Sequence, residues 1–222
     1  MILLNAFLLD CCPLATALTD IPASACPENI GQIQRYWFVR KGIVKLDTVA
    51  PYSNSTPSGT MAGSDPTLLA TWNILFSATD DSHVVLTPLI GGDSTITASA
   101  PTTFGGGDNS TLNGEQFVTA IPPSDASVRF DSLTAAQISA FRKLTCEGNG
   151  LEVFLISQEG KIWGSKVGNL VSGFDCTNVV LGSLTNSGFG TRDSNTMTFQ
   201  LPFDWDETKA YLTPSDFNAL TV

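Results

Sequence analysis

Leu151-Glu152-Val153-Phe154-Leu155-Ile156 is followed by the polar turn Gln158-Glu159-Gly160 and then by Lys161-Ile162-Trp163-Gly164. Two runs rich in β-branched and aromatic residues, separated by a short turn ending in glycine, predict a β-hairpin, and this hairpin makes the chain a β protein. Immediately upstream, Thr134 stands three residues before Gln137 in capping-box spacing, which predicts a helix over 134–146 with Ile138, Phe141 and Leu144 or Thr145 on its buried stripe. Gly148-Asn149-Gly150 ends that helix and feeds the hairpin.

Other strands are legible on both sides. Residues 30–44 are dense in aromatic and β-branched side chains, and Ile33, Tyr36, Trp37, Phe38 and Val39 alternate only in part, which predicts a strand covered on both faces. Arg35, Arg40 and Lys41 mark its wetter side and its end. Residues 68–76 and 83–89 read as two strands around the polar turn Thr79-Asp80-Asp81-Ser82, in hairpin spacing, and two more strands are expected at 176–184 and 196–201. The stretches 50–66 and 91–114 are rich in Gly, Pro, Ser, Thr and Asn and read as long loops. The expected fold is mainly β: a β-sandwich or open barrel with one flanking α-helix, in one β-rich domain over residues 1–222, with an N-terminal arm (1–29), the two long loops and a C-terminal tail (203–222).

Composition narrows the function. Charged residues make up 14% of the 222, against roughly 25% in an average soluble chain. Such a sparsely charged, hydroxyl-rich exterior is expected to face other protein subunits. The formal net charge of −10 argues against a grip on nucleic acid by phosphate neutralisation, although a lining of one sign suits a conduit through which nucleic acid slides. The apolar opening Met1-Ile2-Leu3-Leu4-Asn5-Ala6-Phe7-Leu8-Leu9 has no basic residue before Arg35 and is interrupted by Asp10, so it reads as mature protein to be buried and not as a secretion signal. No apolar run approaches the roughly 20 residues that span a bilayer, so no membrane partner is expected. Cys11, Cys12, Cys26, Cys146 and Cys176 form no Cys-x-x-Cys pair and are expected to be reduced thiols.

No catalytic or metal signature stands out. His83 is the single histidine and sits in the turn Asp80-Asp81-Ser82-His83, which reads as a solvated turn and not as part of a triad. Asp204, Asp206 and Glu207 around Trp205 lack the loop of a calcium site and read as an acidic turn anchored by Phe203 and Trp205. Asp80 and Asp81 are adjacent, and adjacent turn residues rarely face each other as a glycosidase pair must. Gly105-Gly106-Gly107 lacks the following Lys of a phosphate cradle and reads as a loop tip. No enzymatic activity and no cofactor are expected.

The segments 21–35, from Ile21-Pro22 through Cys26-Pro27-Glu28-Asn29-Ile30 to Arg35, and 151–162, together with Asp216-Phe217-Asn218, resemble virion structural proteins of tailed phages infecting Bacteroidetes-type bacteria, the tail-tube type above all. That resemblance implies a virion protein made in the host cytoplasm that self-assembles into stacked rings, usually hexameric in that family, around a channel that DNA crosses without specific binding. It further implies that the helix lies outside the sandwich and that long loops and termini connect neighbouring copies. The oligomer interface is then expected to draw on Phe7, Leu8 and Leu9 of the arm, Tyr52, Met61 and Phe104 of the loops, and Phe217 and Leu220 of the tail. A capsid decoration or head–tail connector subunit is the alternative virion role, and a carbohydrate-binding virion module resting on Trp163, Trp205 and the acidic turns is another.

Overall fold

A computed structural model describes residues 29–49, 52, 65–106, 114–186, 188–190 and 192–222. The expected N-terminal arm and most of the loop at 50–66 lie outside them.

The centre of the molecule is an antiparallel pair. Strand β1 (Ile33–Arg40) runs alongside β8 (Leu151–Ser157) in a register that sets Tyr36 opposite Leu155, Trp37 opposite Phe154 and Phe38 opposite Val153. Side chains alternate across a strand. Tyr36, Phe38, Leu151, Val153 and Leu155 therefore enter one apolar cluster while Trp37, Val39, Phe154 and Ile156 enter another on the opposite face. All seven residues of β8 are buried, as befits a strand with protein on both sides.

The first cluster is enclosed by a curl of the same sheet. Beyond β8 come β11 (Phe174–Leu181), β12 (Ser194–Leu201), β7 (Ser124–Asp131) and β4 (Ser94–Thr97), all antiparallel, forming a half-barrel. In β7, Ser124, Ala126, Val128 and Phe130 point inward and the residues between them outward. Tyr36 and Ser94 share a hydrogen bond of 2.6 Å across this interior, and Phe199 meets the rings of Tyr36 and Phe38 edge-on at 5.4 and 5.9 Å. Burial raises the Tyr36 phenol to about 12, against the smaller opposing effect of that Ser94 contact. Helix α2 (Ala135–Thr145) closes the flank with Phe141 and Leu144, while Ile138 is half-buried and Thr145 exposed. Its capping box is formed as expected: the Gln137 amide N–H donates to the Thr134 hydroxyl, and the Thr134 N–H donates to the Gln137 side-chain carbonyl.

At the other end, β9 (Ile162–Val167) turns back from β8 at Gly160, whose φ is 76°, and pairs with β10 (Leu170–Ser172) and β13 (Lys209–Leu212), while β2 (Leu46–Asp47) borders β10 and β3 (Val85–Leu86) borders β1. Only Gly173 separates β10 from β11, so one stretch of chain pairs first with β9 and then with β8. A Cβ on Gly173 would lie 2.7 Å from that of Glu152, and one on Gly164 would lie 2.3 Å from the Ser172 carbonyl oxygen. Glycine at both positions lets the two strand pairs cross, the usual device at a sheet corner.

One expected strand is a helix. Residues 68–76, read as the first arm of a hairpin, form α1 (Leu69–Phe76), and the second arm contributes only β3, which pairs with β1. Trp72 and Leu75 face the second cluster, where Trp37 meets Trp72 at 4.8 Å and Phe76 at 5.2 Å, and Trp72 meets Phe154 at 5.6 Å. Leu68 has no capping side chain. The first-turn N–H of Leu69 is instead taken by the Asp216 carboxylate, 147 residues away in sequence, at 2.8 Å. The stretch 91–114, expected as a loop, carries β4 and also β5 (Thr102–Gly105), which pairs with β6 (Gln116–Ala120). Thr95-Ile96-Thr97 and Thr102-Thr103-Phe104 are β-forming residues on short strands, and their flanking glycines and prolines masked them. The tail at 203–222 carries β13 and folds back onto the protein: the Arg35 guanidinium donates to the main-chain oxygens of Leu220 and Val222 at 3.2 and 2.6 Å.

The helical reading of α1 separates two neighbouring apolar residues. Trp72→Ala should lower unfolding stability by about 3–5 kcal/mol, and Ile74→Ala, at a position 59% exposed, by less than about 0.5 kcal/mol, as measured by urea unfolding.

Candidate functional site

A concavity lies at the corner made by Gly164 and Gly173. It is an open cleft of about 510 Å³, within the size range of small-molecule sites. One wall is the turn after β1, carrying Lys41, Gly42 and Lys45. Another is the β9–β10 hairpin with Ser165 and Ser172, a third is the start of β11 at Phe174 and Asp175, and the last is the turn with Asp204, Trp205 and Thr208. That turn is placed by Trp205, whose amide donates to the Pro202 carbonyl at 3.3 Å and whose half-buried ring meets Phe174 edge-on at 5.4 Å. The Ser165 and Thr208 hydroxyls are 2.8 Å apart and tie it to β9.

Glu152 forms part of the lining and is the one acidic side chain in the all-buried β8, at 4% exposure. One carboxylate oxygen accepts the Gly42 N–H at 2.8 Å, and the other is covered and has no hydrogen-bond partner. Asp175 is its direct cross-strand partner, which places two carboxyl groups side by side on one face. Burial, and to a lesser degree the Asp175 charge, push the Glu152 carboxyl up to about 7, while the Gly42 hydrogen bond, Lys41 and Lys45 act the other way. Asp175 is itself paired with Lys41 at 2.6 Å, an ion pair in which both partners are about half exposed. Lys45 and the Asp204 carboxylate have no ion-pair partner among the described residues. The Cys176 thiol beside this group is buried and strongly raised by desolvation, so it is an inert structural thiol, whereas Cys146 is exposed on the end of α2.

A second feature is a projecting ribbon. Strands β5 and β6 pair only with each other, set Phe104 opposite Phe117, and leave Phe104, Phe117, Val118 and the following Ile121 at 54, 40, 51 and 54% exposure. Hydrogen bonds within it include Gln116 Nε2 to Thr103 Oγ1 at 2.7 Å. An isolated two-stranded ribbon is marginal in water.

The residues expected at an oligomer interface fall in four groups. Phe7, Leu8, Leu9 and Met61 lie outside the described residues. Tyr52 is half-buried and hydrogen-bonded to Asp65. Phe104 is exposed on the ribbon, whereas Phe217 and Leu220 pack against the chain's own second cluster. Phe117, Val118 and Ile121 were not among them, although the alternation around Gln116–Ala120 was available to find this strand.

His83 is exposed, and the Ser82 hydroxyl that a triad would direct to it donates to Asp80. No group of three or more His, Cys, Asp or Glu side chains that could hold a metal occurs among the described residues. Trp163, one of the two proposed sugar platforms, is 1% exposed and belongs to the core. No helix among the described residues is long and apolar enough to cross a membrane. Comparison with known proteins brings up no match to a family model, a curated protein or a solved structure.

Glu152 makes stability depend on pH. The unfolded carboxyl ionises near its ordinary value of 4.5 and the folded one near 7, so between these values the folded state holds the extra proton and loses stability as pH rises. The loss attributable to this residue is on the order of 3 kcal/mol. Urea unfolding at pH 5 and pH 8 should show the wild type markedly less stable at pH 8, and Glu152→Gln should shrink that difference.

Proposed function

We propose that this protein is a virion structural subunit of the tail-tube type, which associates with copies of itself into stacked rings around a conduit for DNA. The single observation that carries the reading is the β5–β6 ribbon: four exposed apolar side chains on and next to a two-stranded sheet that pairs with no other strand among the described residues. Such a surface is stable in water when a neighbour covers it. The outer edge of β4, whose single partner is β7, adds an open ladder beside the ribbon's root, and the 14% charge content keeps the desolvation cost of association low. The net charge of −10 suits a lumen that repels phosphate.

The reading predicts that the purified full-length chain forms rings or tubes visible by negative-stain electron microscopy, and that the double substitution Phe104→Ser and Phe117→Ser returns it to monomers with an unchanged far-ultraviolet circular dichroism spectrum. A wild-type chain that stays monomeric at high concentration rules the reading out. Assembly that requires a second virion protein would favour the connector or capsid-decoration role.

A further inference from the structure

The cleft at the sheet corner offers more hydrogen-bonding capacity than the protein uses. Lys45 supplies an ammonium and Asp204 a carboxylate that meet no counter-ion among the described residues, although both line the same 510 Å³ space. Ser165, Ser172, Thr208 and Trp205 line the same space, with the Ser165 and Thr208 hydroxyls bonded to each other. The Trp37, Trp72 and Trp163 rings are fully buried, so Trp205 is the one tryptophan that can present a surface to a ligand.

The charges select the ligand class. Lys41 is paired with Asp175, and the rest of the lining adds one further cation, Lys45, and one further exposed carboxylate, Asp204. Glu152, set into the wall with one oxygen on Gly42 and the other covered, is largely neutral below about 7. No net field remains to hold an anion, and the overall charge of −10 disfavours phosphates. A cation would have to displace two lysines already present. What fits a wall that holds an ammonium, carboxylates and hydroxyls is a group that donates and accepts at once, namely the hydroxyl. A ring bearing several hydroxyls on its edges and C–H groups on one face would satisfy Lys45 and Asp204 together while lying against Trp205.

We propose that this cleft is a binding site for a neutral saccharide, with Trp205 as its platform and Lys45, Asp204 and Thr208 as its hydrogen-bonding residues. Glu152 acts one layer below as a positioning residue: its bond to the Gly42 N–H holds the turn that carries Lys41 and Lys45. Binding at this corner is independent of the assembly reading, since the cleft shares no residue with the β5–β6 ribbon.

The test is saturation-transfer NMR followed by isothermal titration calorimetry of the full-length chain against a panel of neutral hexoses, N-acetylhexosamines and their disaccharides, with orthophosphate as the anionic control. At least one saccharide should bind with a Kd of about 1 mM, typical of a ligand with about a dozen heavy atoms at ordinary efficiency. Asp204→Asn, a change on an exposed turn, should weaken binding at least tenfold, and so should Trp205→Ala, whose folding is checked by circular dichroism. Failure of the whole panel to bind, binding that ignores Asp204→Asn, or displacement by orthophosphate would each overturn the proposal. None of these results bears on whether the chain forms rings.

Discussion

The pairing of β1 with β8 is the constraint from which the remaining architecture follows. Two adjacent strands carry large apolar side chains on both faces, so neither face can be left to water. Fully burying one such side chain is worth about 1.5–3 kcal/mol, and this pair offers nine of them in the two clusters, from Tyr36 to Val39 and from Leu151 to Ile156. Each face needs its own cover. The curl of β11, β12, β7 and β4 with α2 covers one, and α1, β2 and the C-terminal tail cover the other.

Covering both faces with one sheet requires a corner, and the corner creates the cleft. Where β10 passes into β11 at Gly173 and β9 bends at Gly164, the backbones come too close for any side chain. Glu152 lies against this crossing. The surrounding β8 is otherwise apolar apart from Ser157, so the acid is held out of water with a single hydrogen bond, from Gly42. A buried carboxyl with one unpartnered oxygen is costly to ionise, which links the sheet geometry to the proton affinity of this site. Lys41 and Lys45 on the neighbouring turn relieve part of that cost.

The two proposed surfaces are built on different principles. The ribbon exposes apolar side chains and pairs only within itself among the described strands, which makes it suited to coverage by another polypeptide. The cleft is concave, carries charged and hydroxyl side chains beside Trp205, and is assembled from four segments distant in sequence. Association through the first and ligand binding at the second can therefore proceed on one subunit without competing for the same residues.

The primary structure by itself determined the β class, the 151–164 hairpin, the two-faced strand at 33–40 and the Thr134-capped helix, because each rests on contacts between residues close in sequence: alternation, a glycine turn, a capping box. It left α1 unreadable, since the group that caps this helix is Asp216, from the far end of the chain, and an uncapped run of leucine, isoleucine and aromatics is equally compatible with a strand. Tertiary structure alone decided that Trp163 is core while Trp205 borders a cleft, that Phe217 and Leu220 cover the chain's own second cluster, and that Glu152 and Asp175 stand side by side. Those outcomes depend on which strands become neighbours across the corner at Gly164 and Gly173. Such long-range pairing carries no periodic signal along the chain.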